Sequence, residues 1–125
     1  MSVYTFEKML GRTMTSVIAS GDVMLFIEQN GSEHRFYHEQ DCCESVEIED
    51  IEGDLNDLVG DTIILAEQVD SKPPARELNY TPDYETWTFY KFATAKGHVT
   101  VRWYGSSNGY YSESVDYSYK SAKAE

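Results

Sequence analysis

Apolar positions along the chain recur mostly at every second residue, the period of a half-buried strand. The segment "TSVIAS", Thr15–Ser20, predicts a strand that ends at Gly21, and "DVMLFIEQ", Asp22–Gln29, predicts a second. Asn30 and Gly31 then form a hairpin signal, because Asn-Gly supplies the positive φ angles of a tight turn. "EHRFYHE", Glu33–Glu39, returns as its partner. "ESVEIEDI", Glu44–Ile51, places Val46 and Ile48 on one face and Glu47 and Glu49 on the other.

The period then changes. In "GDLNDLVG" Asp54 caps a short helix, Leu55 and Leu58 face the core, and Gly60 stops it. "DTIILAEQV", Asp61–Val69, is again a strand. The stretch 70–85 holds all three prolines and predicts an exposed, mobile loop. "TWTFYKFAT" and "HVTVRWYG" pair around "AKG" as a hairpin. Its alternation groups Trp87, Phe89 and Lys91 against Thr88, Tyr90 and Phe92, and Val99, Val101 and Trp103 against Thr100, Arg102 and Tyr104. "GSSNG" predicts a turn and "YYSESVDY" a last strand. The opening "VYTFEKML" fits a short helix or a first strand. The pattern predicts a β-rich α+β fold: an antiparallel sheet of about six to eight strands with one or two short helices, in a single domain over residues 1–119 followed by a frayed tail, 120–125.

Length and charge narrow the functions. A chain of 125 residues has the size of one domain and buries a core without staples. No apolar run reaches membrane-spanning length, and the start lacks the pattern of a signal peptide. Cys42 and Cys43, the only cysteines, are adjacent and predicted to be inward-packed thiols, as in a reducing compartment. The net charge is −12, with 14 acidic residues and one basic residue between Glu28 and Asp70. This argues against long-range attraction to nucleic acid or anionic membrane; it is compatible with a basic protein partner, and good solubility is the commoner explanation of such a surface. Both tryptophans and eight of the ten tyrosines lie in the second half, so the domain is expected to present two unlike surfaces.

The chemistry-bearing residues do not form a recognised catalytic unit. His34, His38, Cys42 and Cys43 lack the two separated ligand pairs of a zinc site. "DIEGDLNDLVGD" has Leu55 and Asp61 where a calcium loop needs Gly and Glu. A Cys–His nucleophile has only residue types in its favour, and neither a phosphate-binding glycine loop nor a serine elbow is present. No metal, cofactor or catalytic residue is therefore assigned. Binding has better material in "RWYGSSNGYYSES": aromatic faces suited to stacking, and a small-residue turn whose N–H groups suit a phosphate.

Two blocks, "YHEQDCCESVEIEDIEGDLNDLVG" with "ILAE" and "WTFYKFATAKGHVTVRWYGSSNGYYSESVDY", resemble a family of small bacteriophage and prophage proteins of unknown function. The resemblance implies a phage protein in the host bacterial cytoplasm. It also implies an accessory factor against host defence, of the kind that sequesters a cyclic nucleotide signal without cleaving it, as a homo-oligomer. On that reading Trp103, Tyr104, Tyr110 and Tyr111 stack on the base, His38, Gln40 and Arg102 are polar contacts, and Ser106, Ser107 and Asn108 form the turn against phosphate. The alternative function is an acidic inhibitor that masks the basic site of a host defence nuclease or DNA-binding protein.

Overall fold

The computed structural model describes residues 6–38, 44–71, 84–107 and 115–121. Gln40, the two cysteines Cys42 and Cys43, most of the proline-rich loop, the Asn108–Tyr111 stretch and the end of the tail lie outside the described residues.

Eight strands are described: β1 Met14–Ser20, β2 Val23–Glu28, β3 Glu33–Tyr37, β4 Ser45–Glu52, β5 Leu65–Ser71, β6 Tyr84–Thr94, β7 Gly97–Ser107 and β8 Asp116–Lys120. They form two four-stranded sheets rather than one. The first has the order β1-β2-β3-β8, the second β4-β7-β6-β5, and every strand pair is antiparallel. The physical reason for two sheets is burial: one wide sheet would leave the apolar face of each half uncovered, whereas stacking covers both. Phe26 and Phe36 of the first sheet meet Phe92 and Tyr90 of the second at ring distances of 5.0 and 4.9 Å. Met14, Met24, Val99, Val101 and Trp103 complete the centre of this core.

The helical part is smaller than α+β implies. Phe6–Met9 and Leu55–Leu58 are single 3-10 turns. The second sits where the sequence predicts a helix, with Asp54 accepting from the Asn56 N–H at 2.9 Å. Asp54 and Gly60, the latter at φ +82°, bracket too few residues for an α-helix to propagate.

Four local departures matter. At Asn30–Gly31 only Gly31 has positive φ, +89°, while the Asn30 side chain accepts from the Ser32 N–H at 2.9 Å. The loop is thus wider than a two-residue turn. "GSS" continues β7 instead of turning, because β7 is paired on both sides: Gly105 lies opposite Val46 and Thr86, and Ser106 opposite Ser45 and Glu85. In β4 the register shifts between Ile48 and Asp50. This bulge lets Val46, Ile48 and Ile51 all turn toward the core and leaves Glu47, Glu49, Asp50 and Glu52 exposed. β8 keeps Lys120, expected in the tail, paired with Glu33.

Candidate functional site

The second sheet turns alternate residues of β6 and β7 outward. Thr88, Tyr90, Phe92 and Thr94 of β6, and Val99, Val101, Trp103, Gly105 and Ser107 of β7, are buried. The opposite parity carries Trp87, Phe89 and Lys91, with Thr100, Arg102, Tyr104 and Ser106, to the outer face. Register then assembles rows across the sheet. Val69, Phe89, Arg102 and Asp50 share one row; Ser71, Trp87, Tyr104 and Glu47 share the next.

A fixed cluster sits at the centre of this face. Glu49, brought alongside by the β4 bulge, accepts through one oxygen from Trp87 Nε1 at 2.9 Å and from Arg102 Nε at 2.8 Å. The Arg102 guanidinium lies 4.8 Å from the Trp87 ring centre, and Phe89 meets Trp87 edge-on at 5.9 Å. Tyr104 donates to Glu85 at 2.7 Å. With Arg102 and Glu49 both about a third exposed, this ion pair stabilises the fold by no more than about 1 kcal/mol. Its main effect is to hold the indole and guanidinium in one geometry. Beside the cluster a hollow of about 470 Å³ is lined by Glu52, Val69, Ser71, Phe89, Lys91 and Thr100.

Of the residues expected to bind, Arg102, Tyr104 and Ser106 share the outer face. Trp103 and Ser107 have the opposite parity and are 1% and 6% exposed, which leaves no face of the indole for stacking. His38 lies just past the end of β3 with its side chain turned away from solvent, 4% exposed, and Nε2 3.1 Å from Glu44. Gln40, Asn108, Tyr110 and Tyr111 lie outside the described residues. Trp87, Phe89, Glu49 and Val69 were not singled out for binding by the sequence. The signal for the first two was present in the alternation; Glu49 and Val69 required the register and the bulge.

A second polar cluster lies inside the first sheet. His34 is fully buried between Glu28, 2.5 Å from Nε2, and the Tyr117 hydroxyl, 2.6 Å from Nδ1. Arg12 donates to the other Glu28 oxygen at 3.1 Å. The donors and acceptors match a neutral imidazole: Nε2–H donates to the carboxylate and the Tyr117 O–H donates to Nδ1. Burial drives the His34 pKa below its ordinary value, against the pull of Glu28, and burial likewise raises that of Tyr117. Glu28 and its hydrogen bonds raise that of Arg12. The chain of bonds resembles a catalytic relay, but His34 has no exposed surface for a substrate, so its role is to satisfy a buried carboxylate. Among the described residues no group of three or more His, Cys, Asp or Glu side chains converges as a metal site. No described helix is long and apolar enough to cross a membrane.

Residues 7–117 match a family model described as "Domain of unknown function (DUF7448)". No curated protein and no solved structure matches the chain at a significant level.

Proposed function

The chain belongs to the DUF7448 family of unknown function, and from its surface we propose that it is a non-enzymatic binding module whose second sheet docks on a basic protein. The observation that carries this reading is the outer-face arrangement: a rigid apolar centre of Trp87, Phe89 and Val69 with Glu47, Glu49, Asp50, Glu52 and Glu67 around it. An aromatic centre inside a polar rim is the anatomy of protein interfaces. Carboxylates in that rim accelerate encounter with a basic surface and reject acidic ones. Among the described residues this face carries two cations, Arg102, which Glu49 neutralises, and Lys91, which lies opposite Glu67; Glu47, Asp50 and Glu52 remain as the excess negative charge.

In a phage context, consistent with the resemblance of its sequence blocks, such a module masks the basic site of a host nuclease or other DNA-binding protein. Affinity capture from bacterial lysate at about 0.05 and 0.5 M salt tests this. The expected result is a basic protein held at low salt, released at high salt, and lost with Glu47→Lys/Glu52→Lys. Capture that ignores both salt and the charge reversal overturns the reading.

A second reading, sequestration of a cyclic nucleotide, is favoured by one specific arrangement: Arg102 stacked on Trp87 beside a hollow that includes Phe89 and Lys91. A calorimetric screen of cyclic di- and trinucleotides and ADP-ribose derivatives separates the two. Binding that Arg102→Ala abolishes supports the nucleotide reading; silence across the panel removes it.

A further inference from the structure

We propose that the outer face of the first sheet is the contact surface of a two-fold dimer, with a second copy of this chain as its occupant. This surface is distinct from the docking face, which belongs to the second sheet.

Strand parity defines the face. Met24, Phe26, His34 and Phe36 are buried and turn into the protein. The opposite parity turns outward, and register sets it in rows. Ser16, Ile27, Glu33 and Lys120 share one row; Ile18, Leu25, Arg35 and Ser118 share the next. Beyond them Ser20 lies opposite Val23, and Tyr37 opposite Asp116. β2 is apolar without a break from Val23 to Ile27, the pattern of a strand covered on both faces. Within one copy Val23, Leu25 and Ile27 keep part of their surface in solvent, and Ile18 beside them is 51% exposed. A contiguous aliphatic patch with a charged rim is the mark of a contact surface.

Charge selects the occupant. The chain carries −12, so two copies repel each other over most approaches. This face holds two acidic residues, Glu33 and Asp116, and two basic ones, Arg35 and Lys120, so it is neutral. The outer face of the second sheet sets Glu47, Glu49, Asp50, Glu52 and Glu67 against only Arg102 and Lys91. A neutral face recruits no strongly basic partner, and it is where a copy meets the least repulsion. The face is also self-complementary. A two-fold axis across the strands, between the Ile27 and Leu25 rows, sets Ile27 on Leu25 of the copy and Glu33 on Arg35 of the copy, each pair formed twice. Centring the axis on the Leu25 row would oppose Arg35 to its own copy. Four strands of about six residues give a footprint of about 19 by 20 Å. That is small for a stable interface, so the dimer is reversible. It sends the two second sheets to opposite ends of a four-layer stack, so on the docking reading the dimer is bivalent.

Sedimentation velocity of the intact protein, from about 5 μM to about 1 mM, tests this. The expected result is a reversible monomer–dimer equilibrium within that range. Ile18→Lys/Leu25→Lys puts charge into the aliphatic patch and weakens the dimer at least about tenfold, with urea unfolding confirming the fold. Glu33→Lys sets like charges across the interface and weakens it about fivefold, while Glu33→Lys/Arg35→Glu restores it. A monomer at every concentration, an assembly larger than a dimer, a dimer that Ile18→Lys/Leu25→Lys leaves unchanged, or a charge swap that fails to restore it each overturns the proposal. Loss of the captured basic partner in Ile18→Lys/Leu25→Lys, with wild type monomeric, assigns the face to that partner and overturns it too. The docking function fails separately, through loss of its dependence on Glu47 and Glu52.

Discussion

Substituting His34 by Gln separates the packing of the buried cluster from its protonation. A glutamine keeps the pattern that neutral histidine supplies: its amide N–H₂ donates to Glu28 and its carbonyl accepts from Tyr117. What it removes is a group that titrates. In the wild type, burial lowers the folded-state pKa of His34 below 6.5, its ordinary value, so below pH 6.5 the unfolded chain takes up a proton that the folded chain resists. Stability from this residue is therefore complete above that pH and is lost as pH falls toward the folded-state pKa. The groups facing His34 are Glu28, Tyr117 and Tyr119, with Arg12 and Lys8 nearby. Lys8 and Arg12 oppose a second positive charge, and Glu28 favours one without outweighing desolvation. The full effect of one resisted proton between pH 7.5 and 5.5 is at most about 1.4 kcal/mol. Urea unfolding at several pH values measures it. Wild type should lose up to that amount across the interval beyond any loss in His34→Gln. At pH 7.5 the variant should be only about 1–2 kcal/mol less stable, for imperfect packing. Parallel pH profiles for the two proteins would refute the assignment of a neutral His34.

Three further outcomes follow from the same geometry. Glu28→Gln leaves an amide that cannot accept from both Arg12 and His34, so it should cost about 2–4 kcal/mol by denaturant unfolding, while exposed Glu47→Gln stays within about 0.5 kcal/mol. Gly53→Ala should cost at least about 2 kcal/mol, because φ there is +108° and a Cβ would lie 2.6 Å from the His98 carbonyl oxygen; a smaller loss in denaturant midpoint would contradict that packing. Arg102→Ala should change stability by less than about 1 kcal/mol yet strengthen binding of a basic partner, since Glu49 is then left unneutralised; calorimetry reads both signs.

Much of the fold was legible because period-two alternation survives in β2, β3, β6 and β7, where each strand buries one face. The parity grouping of Trp87 with Phe89 and of Arg102 with Tyr104 came directly from it. What alternation cannot show is which parity faces inward when both carry aromatics; the family resemblance implies Trp103 and its neighbour Tyr104 as stacking rings together, and only burial separates them. Nor does local pattern reveal a bulge: "EIEDI" gives no sign that Glu49 and Asp50 both face solvent. The Glu28–His34–Tyr117 cluster joins residues up to 89 positions apart through β2, β3 and β8, and only the register of the first sheet brings them together.

The docking surface is tested most directly by titrating the captured basic partner, by calorimetry, into wild type and into Trp87→Ala/Phe89→Ala. Both side chains lie on the outer face, so the variant keeps a cooperative unfolding transition. A central aromatic pair at a hot spot predicts a loss of affinity of at least about thirtyfold. An affinity equal to wild type, in a variant that remains folded, would place the partner elsewhere and contradict the account.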